Sequence, residues 1–177
     1  TAQSPMKIGI FADIHDNVDN LRHAIRLFNA LQCRAVLLAG DFVSPLVVPS
    51  MRKLQGQVIA CFGDNDGNRI GIAGGMTIVG QLGQSPLCWK SPDGVRFLMC
   101  HQLQDIRDCV GDADVVVFAH THRPSIVRDR SGRLFINPGE TGGWMFRRPT
   151  VVVFDTETRE AEILDLPPMP PAVAIEE

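Results

Sequence analysis

The stretch KIGIFADIH, residues 7–15, begins as a short apolar run and ends in polar side chains. The run KIGIFA is typical of a strand that is buried on both faces. Asp13 and His15 follow it directly, and side chains two apart on an extended segment share a face, so both are expected to point into one pocket. The stretch predicts a sheet that carries polar side chains at the carboxyl ends of its strands.

Further apolar runs of the same kind recur along the chain: AVLLAG, QVIACFG, VRFLMC, DVVVFA, RLFIN, TVVVFD and AEILDL. Between the first two runs of the chain lies NVDNLRHAIRLFNALQ, whose apolar residues recur every three or four positions. This spacing predicts an amphipathic helix, with Asp16 or Asn17 as its N-cap. A second helix is expected after Ser44-Pro45, and a shorter one around LQDIRDCV. The alternation predicts a parallel sheet in the first half of the chain.

The later apolar runs lie closer together. A turn signal, Pro92-Asp93-Gly94, separates two apolar stretches in LCWKSPDGVRFLM. The last three runs are separated by loops that are too short for crossover helices. Antiparallel pairings are expected in both places. The whole pattern predicts a mixed α/β sandwich.

Composition limits the number of domains and the kinds of binding partner that are expected. A chain of 177 residues with 45% apolar content suffices for one well-buried domain. The formal charge of −3 excludes bulk nucleic-acid binding. No apolar run approaches the roughly 20 residues that span a bilayer, and TAQSP lacks signal-peptide features, so no membrane partner and a cytoplasmic location are expected. We expect an N-terminal extension over 1–6, the domain over 7–166 and a flexible proline-rich tail over 167–177.

The cysteines are odd in number, scattered and free of any CxxC pair. This pattern argues against a disulfide framework and against a structural zinc site. Reduced and mostly buried thiols are expected at Cys33, Cys61, Cys88, Cys100 and Cys109.

Polar residues follow five of the predicted strands at the point where each strand ends. They are Asp13 and His15, then Asp41, then Asp64, Asn65 and Asp66, then His101, and finally His120 and His122. Carboxylates beside imidazoles are costly to bury unless cations compensate them, and N/O ligand sets suit Mn, Fe, Co, Ni or Zn. The candidate ligands exceed the needs of one tetrahedral zinc but suffice for two ions about 3.5 to 4 Å apart.

Each motif alone has a plainer explanation. Asp, Asn and Gly in FGDNDGN are common turn residues, and a lone DxH is more often an accident of a loop. The HxH of residues 120–122 is a stronger signal, because two imidazoles on one face have few structural uses. Four of the five histidines fall at strand ends, and the fifth, His23, is assigned to a helix surface. This joint occurrence favours a metal centre.

The segments FADIHDN, LAGD, FGDND, MCHQ and AHTHRP resemble, in this order, the calcineurin-like metallophosphoesterases. The pattern of that family runs DxH, GD, GNxD or GNxE, a single His, and GHxH. The match spans Lys7 to about Leu166, and LFINPGETGG resembles the small single-domain phosphodiesterases of bacteria and archaea. The resemblance implies an α/β fold: a four-layer αββα sandwich with two mixed β-sheets and a dinuclear metal site at the carboxyl ends of the strands.

The resemblance also implies roles for individual residues. Asp13, His15 and His122 would hold one metal, Asp64, His101 and His120 the other, and Asp41 would bridge them. Manganese is the first choice of metal, with nickel, iron, cobalt or zinc as alternatives, and a metal-bound hydroxide would attack phosphorus in line. Asn17 and Asp66 would orient ligands or substrate.

The chain departs from the family pattern at several positions. Asp64 stands where the family usually has Asn, and Ala119 stands where it has Gly. Gln102-Leu103 follows His101 where Gly-His is usual. Asn65 stands where larger relatives carry a His that could protonate the leaving group. In a competing register, Asn65 is the metal ligand and Asp64 a turn residue.

Three functions are compared. The first is a phosphodiesterase that hydrolyses small organic phosphodiesters. The second is a catalytically weak or inactive scaffold of the same fold that acts through protein contacts, as a retromer subunit of this fold does. The third, a metal-free nucleotide-binding domain, is disfavoured because the chain has no glycine-rich phosphate loop. The intact strand-end residues favour the first.

Two segments, RIGIAGGM and GETGGWMFRR, are expected to be loops that set substrate specificity. For residues 144–146 of the second loop, a hydrophobic loop anchored in the core is favoured over a site for a base or a protein partner. The sequence gives no prediction of the physiological substrate or of the oligomeric state.

Overall fold

A computed structural model describes residues 4–106 and 109–168 of the chain. The strands are β1 (Lys7–Phe11), β2 (Ala35–Ala39), β3 (Gln57–Cys61), β4 (Gly80–Gly83), β5 (Leu87–Lys90), β6 (Arg96–Met99), β7 (Val115–Val117), β8 (Ser125–Arg128), β9 (Leu134–Asn137), β10 (Thr150–Asp155) and β11 (Glu160–Asp165). The α-helices are α1 (Val18–Ala30), α2 (Val48–Met51) and α3 (Arg69–Met76), and 3₁₀ turns cover Pro45–Val47 and Leu103–Ile106.

The strands form two mixed sheets. The first has the order β11-β10-β1-β2-β3-β4, in which β1 to β4 run parallel and β10 and β11 are antiparallel. The second has the order β5-β6-β7-β9-β8, with a parallel centre and antiparallel pairs at both edges. The mixed two-sheet α/β architecture predicted from the resemblance is confirmed.

Side-chain alternation along β1 explains how the layers pack. Ile8 and Ile10 enter the core between the two sheets, while Phe11 enters the core beneath the helices. The ring of Phe28 on α1 lies directly over Gly9, where an added Cβ would approach it to 2.6 Å. A smaller cluster around Leu98, Cys100, Ile106 and Val116 covers the outer face of the second sheet. The packed layers thus fix the positions of the carboxyl ends of the parallel strands in both sheets.

Most of the observed helices and strands agree with those predicted from the sequence. The eight apolar runs all form strands, and α1 is capped by Asn17, whose Oδ1 accepts a hydrogen bond from the backbone N–H of Asn20 at 3.1 Å. The hairpin around Pro92-Asp93-Gly94 pairs β5 with β6. The helix expected after Ser44 is a 3₁₀ turn followed by the short α2.

Other expectations were wrong. RIGIAGGM is not a loop but α3, because the side chain of Asn68 caps it by accepting from the N–H of Gly71. β4 and β8 were not predicted, since GQLG and SIVR lack a long apolar run. β9 and β10 are neighbours in sequence but lie in different sheets, so only the pairing of β10 with β11 is antiparallel as expected. Within LQDIRDCV, residues 103–106 form a 3₁₀ turn, and residues 107–108 lie outside the described part.

The ends of the described chain attach to the first sheet. Met6 is buried and exchanges hydrogen bonds with Thr156, and Leu166 donates its N–H to the carbonyl of Pro149. Residues 1–3 and 169–177 lie outside the described part, and with them half of the predicted extension and most of the predicted tail. Among the described residues, no helix is long and apolar enough to cross a membrane.

Candidate metal centre

The candidate ligands lie on loops that leave β1, β2, β3, β6 and β7 at their carboxyl ends. The loop after β1 donates the N–H of Asp13 to the carbonyl of Gly40, and the N–H of His15 to the carbonyl of Asp41. The N–H of Ala119 donates to the carbonyl of His101 in the second sheet. These backbone bonds join neighbouring loops, so that one edge of the sandwich carries all the candidates.

The reason that paired side chains converge differs from the one inferred from sequence. In an extended segment, side chains two apart would share a face. Instead, five of the seven ligand candidates adopt left-handed backbone conformations, with φ of 51° at Asp13, 45° at His15, 58° at Asp41, 69° at His120 and 60° at His122. Non-glycine residues rarely adopt positive φ, and such conformations concentrate at functional sites. Local turns, not strand alternation, bring the pairs together.

The first group of candidates comprises Asp13, His15 and His122. Oδ1 of Asp13 lies 3.7 Å from Nε2 of His15 and 3.8 Å from Nε2 of His122. The other oxygen of Asp13 accepts a hydrogen bond from the N–H of His120 at 3.2 Å. The carboxylate is therefore oriented by the backbone and keeps Oδ1 directed at the two imidazoles.

The second group comprises Asp64, His101 and His120. Oδ1 of Asp64 lies 2.9 Å from Nε2 of His101 and 3.1 Å from Nδ1 of His120. Neighbouring Asn65 points elsewhere, because its N–H and its side-chain amide both donate to the carboxylate of Asp41, at 3.0 and 2.8 Å. This geometry brings the carboxylate of Asp64 to the imidazoles and directs the amide N–H of Asn65 at Asp41.

Asp41 lies between the two groups and is fully buried. Its Oδ2 is 3.2 Å from Nε2 of His15 and 3.4 Å from Nε2 of His101. Asp13, Asp41 and His101 also form a group of potential ligands by themselves. A carboxylate in this position can reach ions held by either group.

Three buried atoms at the centre lack the partners that buried polar atoms normally have. Among the described residues, the buried side-chain atoms without a hydrogen bond are Oδ1 of Asp13, Nε2 of His15 and Nε2 of His101. Carboxylate oxygens lie near both nitrogens, at 3.2 Å from His15 and 2.9 Å from His101, but not in hydrogen-bonding geometry. An unpaired buried polar atom costs about 1 to 3 kcal/mol, so native structures rarely retain one without a reason. All three atoms face the same space, and oxygen and imidazole nitrogen are good ligands for divalent transition metals. The donor set therefore fits metal ions.

Hydrogen bonds at the far side of two imidazoles leave Nε2 available. Nδ1 of His101 lies 2.7 Å from the carbonyl of Ala39, and Nδ1 of His122 lies 2.9 Å from Oε2 of Glu140. Both partners only accept, so the neutral imidazoles carry their proton on Nδ1 and present Nε2 to the centre. Sequence reasoning missed Glu140. The available signal was an acidic residue in NPGETGG, three positions after the last residue of β9.

The residues expected to orient ligands act mainly on the loops. Asp66 is buried and accepts from the N–H groups of Val43 and Gly63 at 2.8 and 2.7 Å, which ties the loop after β3 to the loop after β2. Asn17 caps α1, and its amide donates to the carbonyl of Gly142 at 2.8 Å. Their described bonds brace the loops that carry the candidates.

The expectation for residues 144–146 was wrong. Their side chains are not anchored in the core, because Trp144 is 53%, Met145 62% and Phe146 43% exposed. The backbone beneath them is fixed instead, and the indole Nε1–H of Trp144 donates to the carbonyl of His15 at 3.0 Å. The guanidinium of Arg123 stacks over the ring of Phe146 at 5.0 Å. An apolar surface thus stands directly beside the first group.

A polar cleft adjoins the second group. It is lined by Asp64, His101, Gln84, Ser85 and Arg69, among others. The guanidinium of Arg69 stacks over the ring of Phe62 and donates to the carbonyl of Gly63 at 2.9 Å. The cleft offers hydrogen-bonding groups and one cation next to the centre.

The carboxylates shift the proton affinities of the metal-free centre. Asp13 and then Asp41 raise the pKa of His15 to about 10. Burial alone would lower the pKa of His101, but Asp41 overcomes it and raises the pKa to about 9. Burial likewise acts to raise the pKa of Asp41, yet His101, His15 and Asn65 hold this pKa well below its usual range. The metal-free centre therefore binds protons in place of cations.

Sequence comparisons relate the chain to known phosphoesterases. The sequence model of the calcineurin-like phosphoesterase superfamily domain matches residues 6–159. A phosphodiesterase of Methanocaldococcus jannaschii is 33% identical over 160 residues, which cover 88% of this chain and 96% of the relative.

Solved structures agree with the observed fold. The structure of an archaeal phosphodiesterase superimposes with a TM-score of 0.83 at 32% identity, covering 91% of this chain and 100% of that one. The phosphoesterase Yfce of E. coli gives 0.68 at 16% identity, covering 92% and 100%. Vacuolar protein sorting 29 of Cryptosporidium parvum gives 0.60 at 17% identity, covering 92% and 97%, and shares the fold. The chain belongs to the calcineurin-like phosphoesterase superfamily.

Proposed function

We propose that the protein is a phosphodiesterase that uses two divalent metal ions to hydrolyse small organic phosphodiesters. The observation that carries the proposal is the convergence of Asp13 Oδ1, His15 Nε2 and His101 Nε2. In the part of the chain that the structure describes, these are the buried side-chain atoms that make no hydrogen bond. They come from the loop after β1 and the loop after β6, and they meet beside the carboxylate of Asp41. A cation in the same space would satisfy all three.

The two groups of side chains divide the ligands between two ions. We assign one ion to Asp13, His15 and His122, the other to Asp64, His101 and His120, and the bridge to Asp41. Asp64 is preferred over Asn65 because the amide of Asn65 already donates to Asp41. Manganese is the first choice of metal, and nickel, iron, cobalt and zinc suit the same ligand types.

Divalent ions at this centre would supply a nucleophile at neutral pH and neutralise charge that builds on the phosphoryl oxygens. The chain contributes the orientation. The backbone directs Asp13 Oδ1 and Ala39 directs His101 Nε2, so these atoms need no reorganisation when a substrate arrives. The polar cleft beside Asp64 offers the guanidinium of Arg69 to the substrate.

The charge of the site favours diesters over monoesters. By formal counting, two divalent cations facing Asp13, Asp41 and Asp64 leave a net charge of about +1, against about +2 if Asp64 were a neutral amide. A less positive site attracts a dianionic monoester less strongly than it would otherwise, and suits a monoanionic diester. The activity of the 33% identical relative, a phosphodiesterase, agrees with this preference.

The test is hydrolysis of bis(p-nitrophenyl) phosphate by the metal-free protein after addition of Mn²⁺ or Ni²⁺. Turnover is expected with metal and should disappear on chelation. His122→Ala should abolish it, whereas His23→Ala is a matched control, because His23 lies on α1 with its ring against Arg26. Metal-loaded protein without turnover above buffer would refute the proposal and favour the scaffold alternative, in which the exposed side chains of residues 144–146 would contact a protein.

A further inference from the structure

Glu140 is a buried carboxylate that accepts hydrogen bonds from an imidazole and from the backbone of a nearby loop. It follows β9 and is 1% exposed. Its Oε2 accepts from Nδ1 of His122 and from the N–H of Met145, each at 2.9 Å, and its Oε1 accepts from the N–H of Phe146 at 2.6 Å. A buried carboxylate is costly unless donors satisfy it, and these three donors do so.

The contact with His122 determines which nitrogen of this imidazole carries the proton. Because a carboxylate only accepts, the neutral ring of His122 must carry its proton on Nδ1. The lone pair then resides on Nε2, which lies 3.8 Å from Oδ1 of Asp13. Carboxylates in this position orient a ligating imidazole and raise its basicity.

The contacts with the backbone set the position of residues 144–146. Two successive N–H groups of this segment point at the same carboxylate that holds His122. The segment is also joined to His15, because the indole of Trp144 donates to its carbonyl. The segment is therefore linked to His122 through the carboxylate of Glu140 and to His15 through the indole of Trp144.

We infer that Glu140 is the positioning residue of the first metal group and that it ties residues 144–146 to that group. The inference rests on the proposed metal centre. A carboxylate that served only to fold this loop would need no contact with His122. Glu140 instead presents one oxygen to the imidazole and to the loop together, so the orientation of the ligand and the position of the apolar surface depend on one side chain.

The first test uses the metal-free protein and the substitution Glu140→Gln. The glutamine side chain has one acceptor oxygen and one NH₂ group. Its NH₂ group must therefore face Phe146, or else face His122 and Met145 together. Either orientation leaves a neutral, weaker acceptor or a donor at Nδ1 of His122, so the preference of His122 for the Nδ1–H tautomer, read from ¹⁵N chemical shifts of its ring, should weaken. Asp66→Asn is the matched control, because Asp66 is a buried carboxylate that accepts from two backbone N–H groups. It should leave the tautomer of His122 unchanged.

The second test is calorimetric titration with Mn²⁺. Glu140→Gln should weaken binding at one of two sites by about 10- to 100-fold, the usual effect of losing such a partner. The chain has two tryptophans, so a Trp89→Phe background makes Trp144 the sole fluorescent indole. In that background, Mn²⁺ should change the fluorescence of the parent protein and have less effect after Glu140→Gln. Glu140→Asp keeps the charge and both acceptor oxygens and should restore part of the affinity.

The outcomes separate the inference from the function on which it rests. An unchanged His122 tautomer together with unchanged Mn²⁺ affinity in Glu140→Gln would overturn the inference and leave the metal centre intact. Absence of Mn²⁺ binding in the parent protein would overturn the proposed function, and the tautomer comparison would then decide the role of Glu140. If Glu140→Gln fails to fold, Glu140→Asp decides: wild-type affinity and tautomer despite its shorter reach would overturn the inference.

Discussion

Gly63→Ala is expected to disable the centre by displacing both the carboxylate and the backbone nitrogen of Asp41. Gly63 lies between β3 and Asp64, and a Cβ added there would meet Oδ1 of Asp41 at 2.1 Å and its backbone nitrogen at 2.5 Å. Gly63 is not among the residues with positive φ, so alanine suits its backbone conformation. The substitution therefore acts on Asp41 through contact and not through backbone strain.

The size of the effect follows from the overlap. Ordinary van der Waals contact with a Cβ begins at 3.4 Å, so the carboxylate of Asp41 would have to move by more than about 1 Å. Displacing a group at the reacting centre by about 1 Å can cost about 10²-fold in rate. Because Asp41 lies between both groups, the affinity for both ions should fall as well.

The assay is Mn²⁺-dependent hydrolysis of bis(p-nitrophenyl) phosphate, with thermal unfolding of the metal-free protein measured in parallel. Gly74→Ala is the matched control, because nothing lies within 4 Å of the added Cβ and Gly74 is inside α3. The control should keep full activity and gain about 0.5 to 1 kcal/mol of stability from the better helix former. Wild-type turnover in Gly63→Ala would refute the placement of Asp41 as a bridge.

Three further predictions concern charge and protons. Asp64→Asn should weaken metal affinity, move the acidic limb of the pH-rate profile to lower pH and raise monoester activity relative to diester activity; unchanged affinity and an unchanged limb would exclude Asp64 as a ligand. The amide of Asn65 donates to Asp41, and an amide cannot protonate a leaving group as an imidazole would. Diesters with acidic leaving groups, such as p-nitrophenyl diesters, should therefore react far faster than alkyl diesters, since proton donation normally contributes about 10²- to 10⁴-fold in rate. Equal rates would show that another group supplies the proton. Finally, the raised pKa values of His15 and His101, about 10 and 9, mean that the folded metal-free protein binds these protons more tightly than the unfolded chain does. The resulting stability is fully present below about pH 6.5, the unfolded value, and is lost as the pH rises through 9 to 10, so Tm in chelator should fall over this window. A constant or rising Tm would contradict the assigned contacts.

The buried strands were predictable because their apolar runs are long relative to the loops. β1, β2 and β3 read directly as strands, since nearly every residue in them is buried. β4 and β8 carry few apolar residues and pair at sheet edges, so their hydrogen bonds, and not their composition, define them. Helix α3 was missed because its three glycines resemble a loop, whereas capping by Asn68 and burial of Ile72 and Met76 stabilise it.

The candidate ligands were predictable because each one ends an apolar run, which is a local property of the sequence. The residues that orient them were not. Glu140 reaches His122 across a connection that includes β8 and β9, and no spacing rule links the two. The left-handed turns at Asp13 and His120 were also hidden, because nothing in DxH or HxH distinguishes a turn from an extended segment. Exposure of Trp144 depends on backbone bonds to Glu140, which composition does not reveal.

The central claim is that two ions act together at one centre. The most direct measurement is the rate of bis(p-nitrophenyl) phosphate hydrolysis as metal-free protein, at a concentration well above the dissociation constants, is titrated with Mn²⁺. The account predicts that activity reaches its maximum when two equivalents per chain are bound, and that the first equivalent alone gives little. Full activity at one equivalent, or no activity at any loading, would contradict it.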